Sequence, residues 1–401
     1  MTATPDVTLQ PPQKRLKIAV LNRIFSPTGG GAERYSIALV EQLAARHEIH
    51  VFAQQIDHHW PGVTYHPVSQ LLKRPRWINQ LWYATATWWA TRRGFDVIHS
   101  HENTWHGQVQ TVHVLPIKHN LFVGLTGLRR VWRWLKVLPS PRLLTYLWLE
   151  RMRYARRPGR ILVVTSPSTH RVLEKTRTES ASMIRMVTPG VAAVPGKTTA
   201  ADRQSARQLL GLPQGPQCIL FVGNDYRKKG LTALLEALAR LPGDVILAVV
   251  GNRDHEAGFR PQISALGLGQ KVFFLGALGD INPAYQAADC LAHPTLEDTF
   301  AMVVLEAMAH AVPVVVSAEP YCGIAGLLDD GVNALLLDAP RDVAVLAGQL
   351  ARLLQDAPLR ERLGQAAVDF ARLHQWERIA LEQEALYQTT IYQATIHQAT
   401  Q

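Results

Sequence analysis

The stretch from Leu291 to Ser317, LAHPTLEDTFAMVVLEAMAHAVPVVVS, constrains this chain more than any other. It begins with a short apolar segment closed by Pro294, which predicts the end of a strand. A loop carrying Glu297, Asp298 and Thr299 follows, then an apolar helical run from Phe300 to Ala309. Val312 to Ser317 is apolar and β-branched, so it predicts the next buried strand. One carboxylate, Glu306, sits inside the apolar helix, and a charge there is costly unless it is paired or holds something. A loop carboxylate before a helix N-terminus, with a second on the helix, suits a ligand bearing hydroxyls and phosphates. Exposed N–H groups at the helix start favour anions, and carboxylates accept from hydroxyls.

The same alternation runs through the chain. Lys17 to Asn22 predicts a strand that opens into Ser26-Pro-Thr-Gly-Gly-Gly-Ala-Glu-Arg, a helix, and a second strand at Glu48 to Ala53. This is a βαβ unit in which Gly29, Gly30 and Gly31 would let a ligand approach a helix start. They are not the spaced glycines of a dinucleotide fingerprint, so a tight left-handed turn without a ligand explains them equally well. The strand Asp96 to Ser100 leaves His101 and Glu102 just past its carboxyl end, where open α/β sheets bind ligands. Further on, the strand Gln217 to Val222 runs into Gly223-Asn-Asp-Tyr-Arg-Lys-Lys-Gly and a helix from Leu231 to Leu241. Arg227, Lys228 and Lys229 in that turn have the chemistry of a diphosphate clamp, against the alternative of an exposed cationic turn. Pro189-Gly190-Val191 and the segment after it read as a linker. The expected organisation is a flexible tail over 1–14, an α/β domain over 15–190 and a second over 191–375, with a cleft between the two. A C-terminal helix and frayed tail, rich in Gln and Thr from Gln388, occupy 376–401.

Of the 401 residues 47% are hydrophobic and 18% charged, which suits two packed domains and excludes disorder. The longest apolar runs are far too short to cross a bilayer, and the N-terminus lacks the apolar core of a signal peptide. Three scattered cysteines make neither a disulfide framework nor a four-ligand metal site, so a cytoplasmic setting is expected. The net charge of +10 is concentrated: between Ile117 and Arg160 eleven Lys or Arg face a single acid, Glu150. There Leu128, Val131, Trp132 and Leu135 fall on one helical face, and Arg129, Arg130, Arg133 and Lys136 on the other. A basic amphipathic segment with tryptophans predicts docking of residues 117–160 on an anionic membrane surface. A solvated helix face or an RNA-binding patch are the alternatives, but no nucleic-acid motif accompanies it, so nucleic acid is not expected as a partner.

Five motifs in order, GGGAER, DVIHSHE, VGNDYRKKG, FLGALGDINPAYQAADCLAHPT and DTFAMVVLEAMAHAVPVVVS, resemble those of retaining glycosyltransferases of family 4. The resemblance covers Arg15 to Tyr387, and VGNDYRKKG followed by LLEALARLP is similar to the lipopolysaccharide core glucosyltransferases. That subgroup also carries a basic, aromatic, membrane-associating segment. The resemblance implies a GT-B fold, an α/β architecture of two Rossmann-like doubly wound domains facing a central cleft. The family signature is two acids separated by seven residues, and counting back from Glu306 selects Asp298 rather than Glu297. Asp298 stands where the family usually has Glu, Ala301 and Ala311 stand where it usually has Gly, and Asn224 replaces a usual Arg.

By the resemblance, Glu306 binds the ribose hydroxyls of a nucleotide. Asp298 and the amides of Phe300 and Ala301 hold the donor sugar, and Lys228 and Lys229, with Arg227, bind the diphosphate. His101 lies near the transferred sugar, and Gly30 and Gly31 approach the donor from the N-terminal domain. The implied activity is retaining, metal-independent transfer of a hexose from a nucleotide diphosphate sugar, with UDP preferred, to a hydroxyl of a lipopolysaccharide-core or other cell-envelope glycan. The sugar nucleotide is a substrate, and no cofactor is expected. The expected location is cytoplasmic, on the inner face of the cytoplasmic membrane. A hydrolase using Asp298 and Glu306, a nucleotide-sugar epimerase of the same fold, and a non-catalytic membrane- or nucleic-acid-binding protein are the competing readings.

Overall fold

Two parallel sheets carry the fold. The structure, a computed structural model, describes residues 14–27, 30–72 and 74–399. The tail expected over 1–14 lies, apart from Lys14, outside the described residues, as does Gly29. The first sheet is built from β1 (Lys17–Leu21), β2 (Glu48–Ala53), β3 (Val63–Pro67), β4 (Val97–Ser100), β5 (Val109–Val112), β6 (Ile161–Val164) and β7 (Ile184–Met186). Its order is β3-β2-β1-β4-β5-β6-β7. The second comprises β8 (Gln217–Val222), β9 (Val245–Val250), β10 (Val272–Gly276), β11 (Cys290–His293), β12 (Val314–Ser317) and β13 (Leu335–Leu337), in the order β10-β9-β8-β11-β12-β13. In each, the order reverses beside the first strand, the switch point at which doubly wound sheets bind ligands.

The second sheet shows why the sequence folds this way. Cys218, Leu220, Val222, Ile246, Ala248 and Val250 pack into one apolar cluster, whereas Ile219, Phe221, Val245, Leu247 and Val249 pack into another. Alternate residues of β8 and β9 therefore feed cores on opposite faces. That is what a continuous apolar strand needs when helices cover both sides.

By contact, the chain divides into one compact unit of residues up to 111, 131–161 and from 385 on, and another of 112–130 and 162–384. In the first unit, β5 is buried although it reads VQTV, because its polar groups are satisfied inside the protein. Arg153 donates to Gln110 Oε1 at 3.1 Å and to the Thr111 carbonyl, and His99 Nε2 meets Thr111 Oγ1 at 2.7 Å. The expected frayed tail is instead a continuous helix, Trp376–Ala399. It contains no Pro or Gly, and Tyr387 and Thr390 are buried along it, so one face is anchored.

The basic segment forms three helices, Ile117–Phe122, Gly127–Val137 and Pro141–Tyr154. Along the middle one the apolar stripe is uncovered: Leu128 is 76% and Trp132 61% exposed, with Val131 and Leu135 also exposed. The cationic count needs correcting, however. Arg153 and Arg160 are buried, and Arg160 donates to the carbonyls of Met152, Arg153 and Trp105, so both are structural rather than surface charges. No helix among the described residues is long and apolar enough to cross a membrane.

Candidate functional site

The second sheet's switch point lies between β8 and β11, and the loops leaving those two strands are knitted together. After β8 the chain passes through Gly223–Lys229 to Gly230, which precedes the helix Leu231–Leu238 with φ of 86°. A Cβ at Gly230 would lie 1.9 Å from the Pro294 carbonyl oxygen, so only glycine allows this turn against the loop after β11. The Lys228 carbonyl then accepts from the Leu296 amide at 2.8 Å and from Thr295 Oγ1 at 3.3 Å. Gly323 closes the other side: a Cβ there would lie 1.8 Å from the Thr299 carbonyl.

This backbone frame sets Asp298 at the centre of a polar hub. Its Oδ1 accepts from the amides of Phe300 (3.3 Å) and Ala301 (2.9 Å). Its Oδ2 accepts from Lys229 Nζ (2.5 Å) and from His293 Nε2 (3.2 Å). Lys229 Nζ also donates to the Glu297 carbonyl at 3.2 Å. The side chains of Asp298 and Lys229 are each 19% exposed, so the pair is largely withdrawn from water. Burial alone would raise the Asp298 pKa. The hydrogen bond from His293 and the Lys229 ammonium outweigh it and hold the carboxyl well below the usual carboxylate range. His293 is fully buried at the end of β11 and its Nδ1 has no hydrogen-bond partner, so Nε2 is the nitrogen that carries the proton toward Asp298.

Lys228 and Glu297 form a second, exposed pair at 3.0 Å. The two lysines of the turn are thus matched by the two acids of the loop. Arg227 does not join them; its guanidinium lies over the Phe259 ring, 6.0 Å from the centroid. Glu306, on the helix Met302–Ala309, is half-buried and accepts from the Tyr285 hydroxyl at 2.7 Å. Ala301 and Ala311 both have left-handed backbone, with φ of 73° and 57°. Glycine is the residue that occupies such positions without strain, which accounts physically for the usual Gly at both.

Gly30, Gly31 and His101 belong to the first unit. Gly30 precedes the helix Gly31–Ala44 with φ of −83°, so it is not a left-handed turn residue. His101 is buried just past β4, its amide donating to the Leu21 carbonyl at 2.9 Å. Its ring lies 4.3 Å from that of His99, which is itself held by the Tyr387 hydroxyl at 2.8 Å. Beside it Glu102 accepts from the Arg23 amide at 3.2 Å, and burial pushes its pKa up against the pull of Arg23.

Sequence reasoning missed His293 and Tyr285. Both lie inside a quoted motif, but a histidine ending a buried strand and a tyrosine in a short helix carry no spacing signal of their own. Among the described residues, no group of three or more His, Cys, Asp or Glu is gathered to hold a metal.

Two doubly wound parallel domains with a cationic turn and an acid pair at a switch point define a GT-B glycosyltransferase fold. Residues 202–370 match the family model for glycosyl transferases group 1, and residues 29–193 that for glycosyltransferase family 4. The D-inositol 3-phosphate glycosyltransferase of Corynebacterium aurimucosum is 30% identical over 309 residues, 72% of this chain and 70% of its own. The chain therefore belongs to glycosyltransferase family 4. The lipopolysaccharide glucosyltransferase WaaG of Escherichia coli is 31% identical over 174 residues, 42% of this chain and 46% of its own. For such relatives the chain spans about half their length. A crystal structure of WaaG superposes with a TM-score of 0.78 at 21% identity over 92% of this chain and 98% of that one. Anabaena HepE in complex with UDP and glucose gives 0.74 at 19% over 92% and 99%.

Proposed function

We propose that this chain is a retaining hexosyltransferase that moves a sugar from a nucleotide diphosphate hexose, UDP preferred, to a hydroxyl of a cell-envelope glycan. The observation that carries the reading is the pairing of Lys228 and Lys229 with the acidic loop at the β8–β11 switch point, one helix away from Glu306. Matched opposite charges of this kind are what a diphosphate with a hydroxyl-rich sugar would exchange into. Phosphate oxygens take the ammonium groups, and sugar hydroxyls take the Asp298 carboxylate and the Phe300 and Ala301 amides. Glu306 receives the ribose hydroxyls. WaaG, by its name a lipopolysaccharide glucosyltransferase, supports a lipopolysaccharide-core acceptor, and HepE with UDP and glucose supports the donor class.

As the anomeric bond lengthens, charge grows on the departing diphosphate, and Lys228, Lys229 and the helix start before Leu231 stabilise it. The leaving phosphate oxygen takes the acceptor's proton on the face it vacates, which retains the anomeric configuration. The two ammonium groups supply positive charge here without a divalent ion, so activity lost in EDTA and restored by magnesium would refute this part. The uncovered apolar stripe of the helix Gly127–Val137, flanked by exposed arginines, docks the enzyme on an anionic membrane surface from the cytoplasmic side.

The test is release of UDP from UDP-hexose in the presence and absence of acceptor glycan. Release that requires acceptor supports transfer. Release without it supports a hydrolase, and tight nucleotide binding without turnover supports a binding protein.

A further inference from the structure

The motif FLGALGDINPAYQAADC contributes Tyr285 to the site through its contact with Glu306. Tyr285 lies on the short helix Asn282–Ala287 and is 1% exposed. Its hydroxyl donates to Glu306 Oε2 at 2.7 Å, a charge-assisted bond in a largely dry setting. Its ring is stacked on His310, with centroids 5.0 Å apart and planes 29° apart. His310 is buried too, and its Nδ1 bonds the Glu306 main-chain carbonyl at 2.9 Å. The three residues therefore close a loop: hydroxyl to carboxylate, ring to ring, imidazole back to the glutamate's own carbonyl.

We infer that Tyr285, braced by His310, is a positioning residue that fixes the Glu306 carboxylate for the ribose hydroxyls of the donor. A glutamate has three side-chain torsions, and ordering it on binding has an entropic cost. A carboxylate with one oxygen already anchored by a buried, immobile phenol has its plane and direction set in advance, so less of that ordering falls to the ligand. Tyr285 has no reason to touch the ligand itself. This inference rests on the nucleotide-sugar reading, in which Glu306 meets the ribose.

The test uses the full chain and whichever of UDP and GDP the wild type binds more tightly, together with its 2′,3′-dideoxy counterpart, by calorimetric titration. Tyr285→Phe removes one oxygen and keeps the ring on His310. The expected result is a loss of about tenfold in affinity for the ribose nucleotide, as for a hydrogen bond to a charged group, and less than twofold for the dideoxy nucleotide. Equal losses for both ligands, or none, would overturn the positioning role, since a merely structural tyrosine cannot distinguish them. Glu306→Gln and the double variant complete a cycle: the tyrosine should matter several-fold less once the carboxylate is gone, and strict additivity would also overturn the proposal. A wild type that binds neither nucleotide would instead defeat the nucleotide-sugar reading, whereas a wild type that favours ribose over dideoxyribose beside an unchanged Tyr285→Phe defeats only the role of Tyr285.

Discussion

Asp298→Ala is the most informative single change, because the hub contains several distinct interactions that one truncation removes. The Phe300 and Ala301 amides lose their acceptor, as in deletion of a helix cap, which costs about 1 kcal/mol. Lys229 loses its partner in a pair that is four-fifths withdrawn from water. Breaking a fully buried pair costs about 3–5 kcal/mol. Lys229 retains the Glu297 carbonyl and some solvent, so about 2 kcal/mol is the fitting share here. The variant should therefore lose about 3 kcal/mol in urea unfolding at neutral pH. Asp298→Asn, which keeps an oxygen for the amides but turns an amide group toward Lys229 and His293, should lose about 2 kcal/mol. The pH dependence follows from the depressed Asp298 pKa. A carboxyl whose folded pKa lies below its unfolded value of about 3.9 contributes stability that is fully present above that pH and is lost as pH falls through the folded value. The gap between wild type and Asp298→Asn should thus stay constant from pH 7 to about 4 and narrow only in stronger acid. An Asp298→Ala protein within 1 kcal/mol of wild type, or a gap that closes between pH 7 and 5, would refute the hub.

Ala311→Gly relieves a left-handed alanine, so it should raise stability by up to about 1 kcal/mol, while Ala307→Gly inside the helix before it should cost about 1 kcal/mol; urea midpoints decide. Replacing Arg129, Arg130, Arg133 and Lys136 together by Ser should release the protein from anionic vesicles in a flotation assay without lowering its unfolding midpoint. Arg153→Ala should do the opposite, leaving vesicle binding intact while destabilising the fold by about 2–4 kcal/mol through the orphaned Gln110 and Thr111 groups. Glu306→Ala should weaken binding of a nucleoside diphosphate that carries no sugar, measured by calorimetry, whereas wild-type affinity would remove Glu306 from the ribose site.

The parts of the fold that were legible in the sequence are those where period and composition agree. β8 and β11 are apolar on both faces and bounded by Gly, Pro or Asp, and they lie where expected. β5 escaped because Gln110 and Thr111 sit in the middle of it, and what buries them is Arg153, forty residues on and itself counted as a surface charge. β3 escaped because it is an edge strand with exposed positions and a proline, the pattern of a loop. The polar C-terminal repeat looked disordered because its anchor is a contact at long range, Tyr387 on His99. In the site, spacing singled out Asp298, and the geometry sets it rather than Glu297 at the hub. No pattern in one dimension could show that Arg227 turns away to Phe259 while its two neighbours turn inward.

The departures from the usual family residues are physically coupled. Asp298 sits two and three residues before the amides it accepts from, the spacing at which the short aspartate side chain closes a turn onto the backbone just ahead of the helix. A glutamate, longer by a methylene, does not close so short a turn onto its own following amides. Ala301, the residue whose amide makes the shorter of those two bonds, holds φ of 73°, a conformation that costs a non-glycine residue roughly 1 kcal/mol. The Asp298 bonds to the Phe300 and Ala301 amides supply a stabilisation of similar size, ~1 kcal/mol, at the same turn. An alanine is therefore tolerated at this turn because an aspartate precedes it, and the aspartate is drawn inward because it has amides and Lys229 to satisfy. The two acids are thus held differently: Glu306 by the Tyr285 hydroxyl, and Asp298 by Lys229, His293 and two backbone amides, bonds it would have to exchange to meet a sugar in the proposed reading.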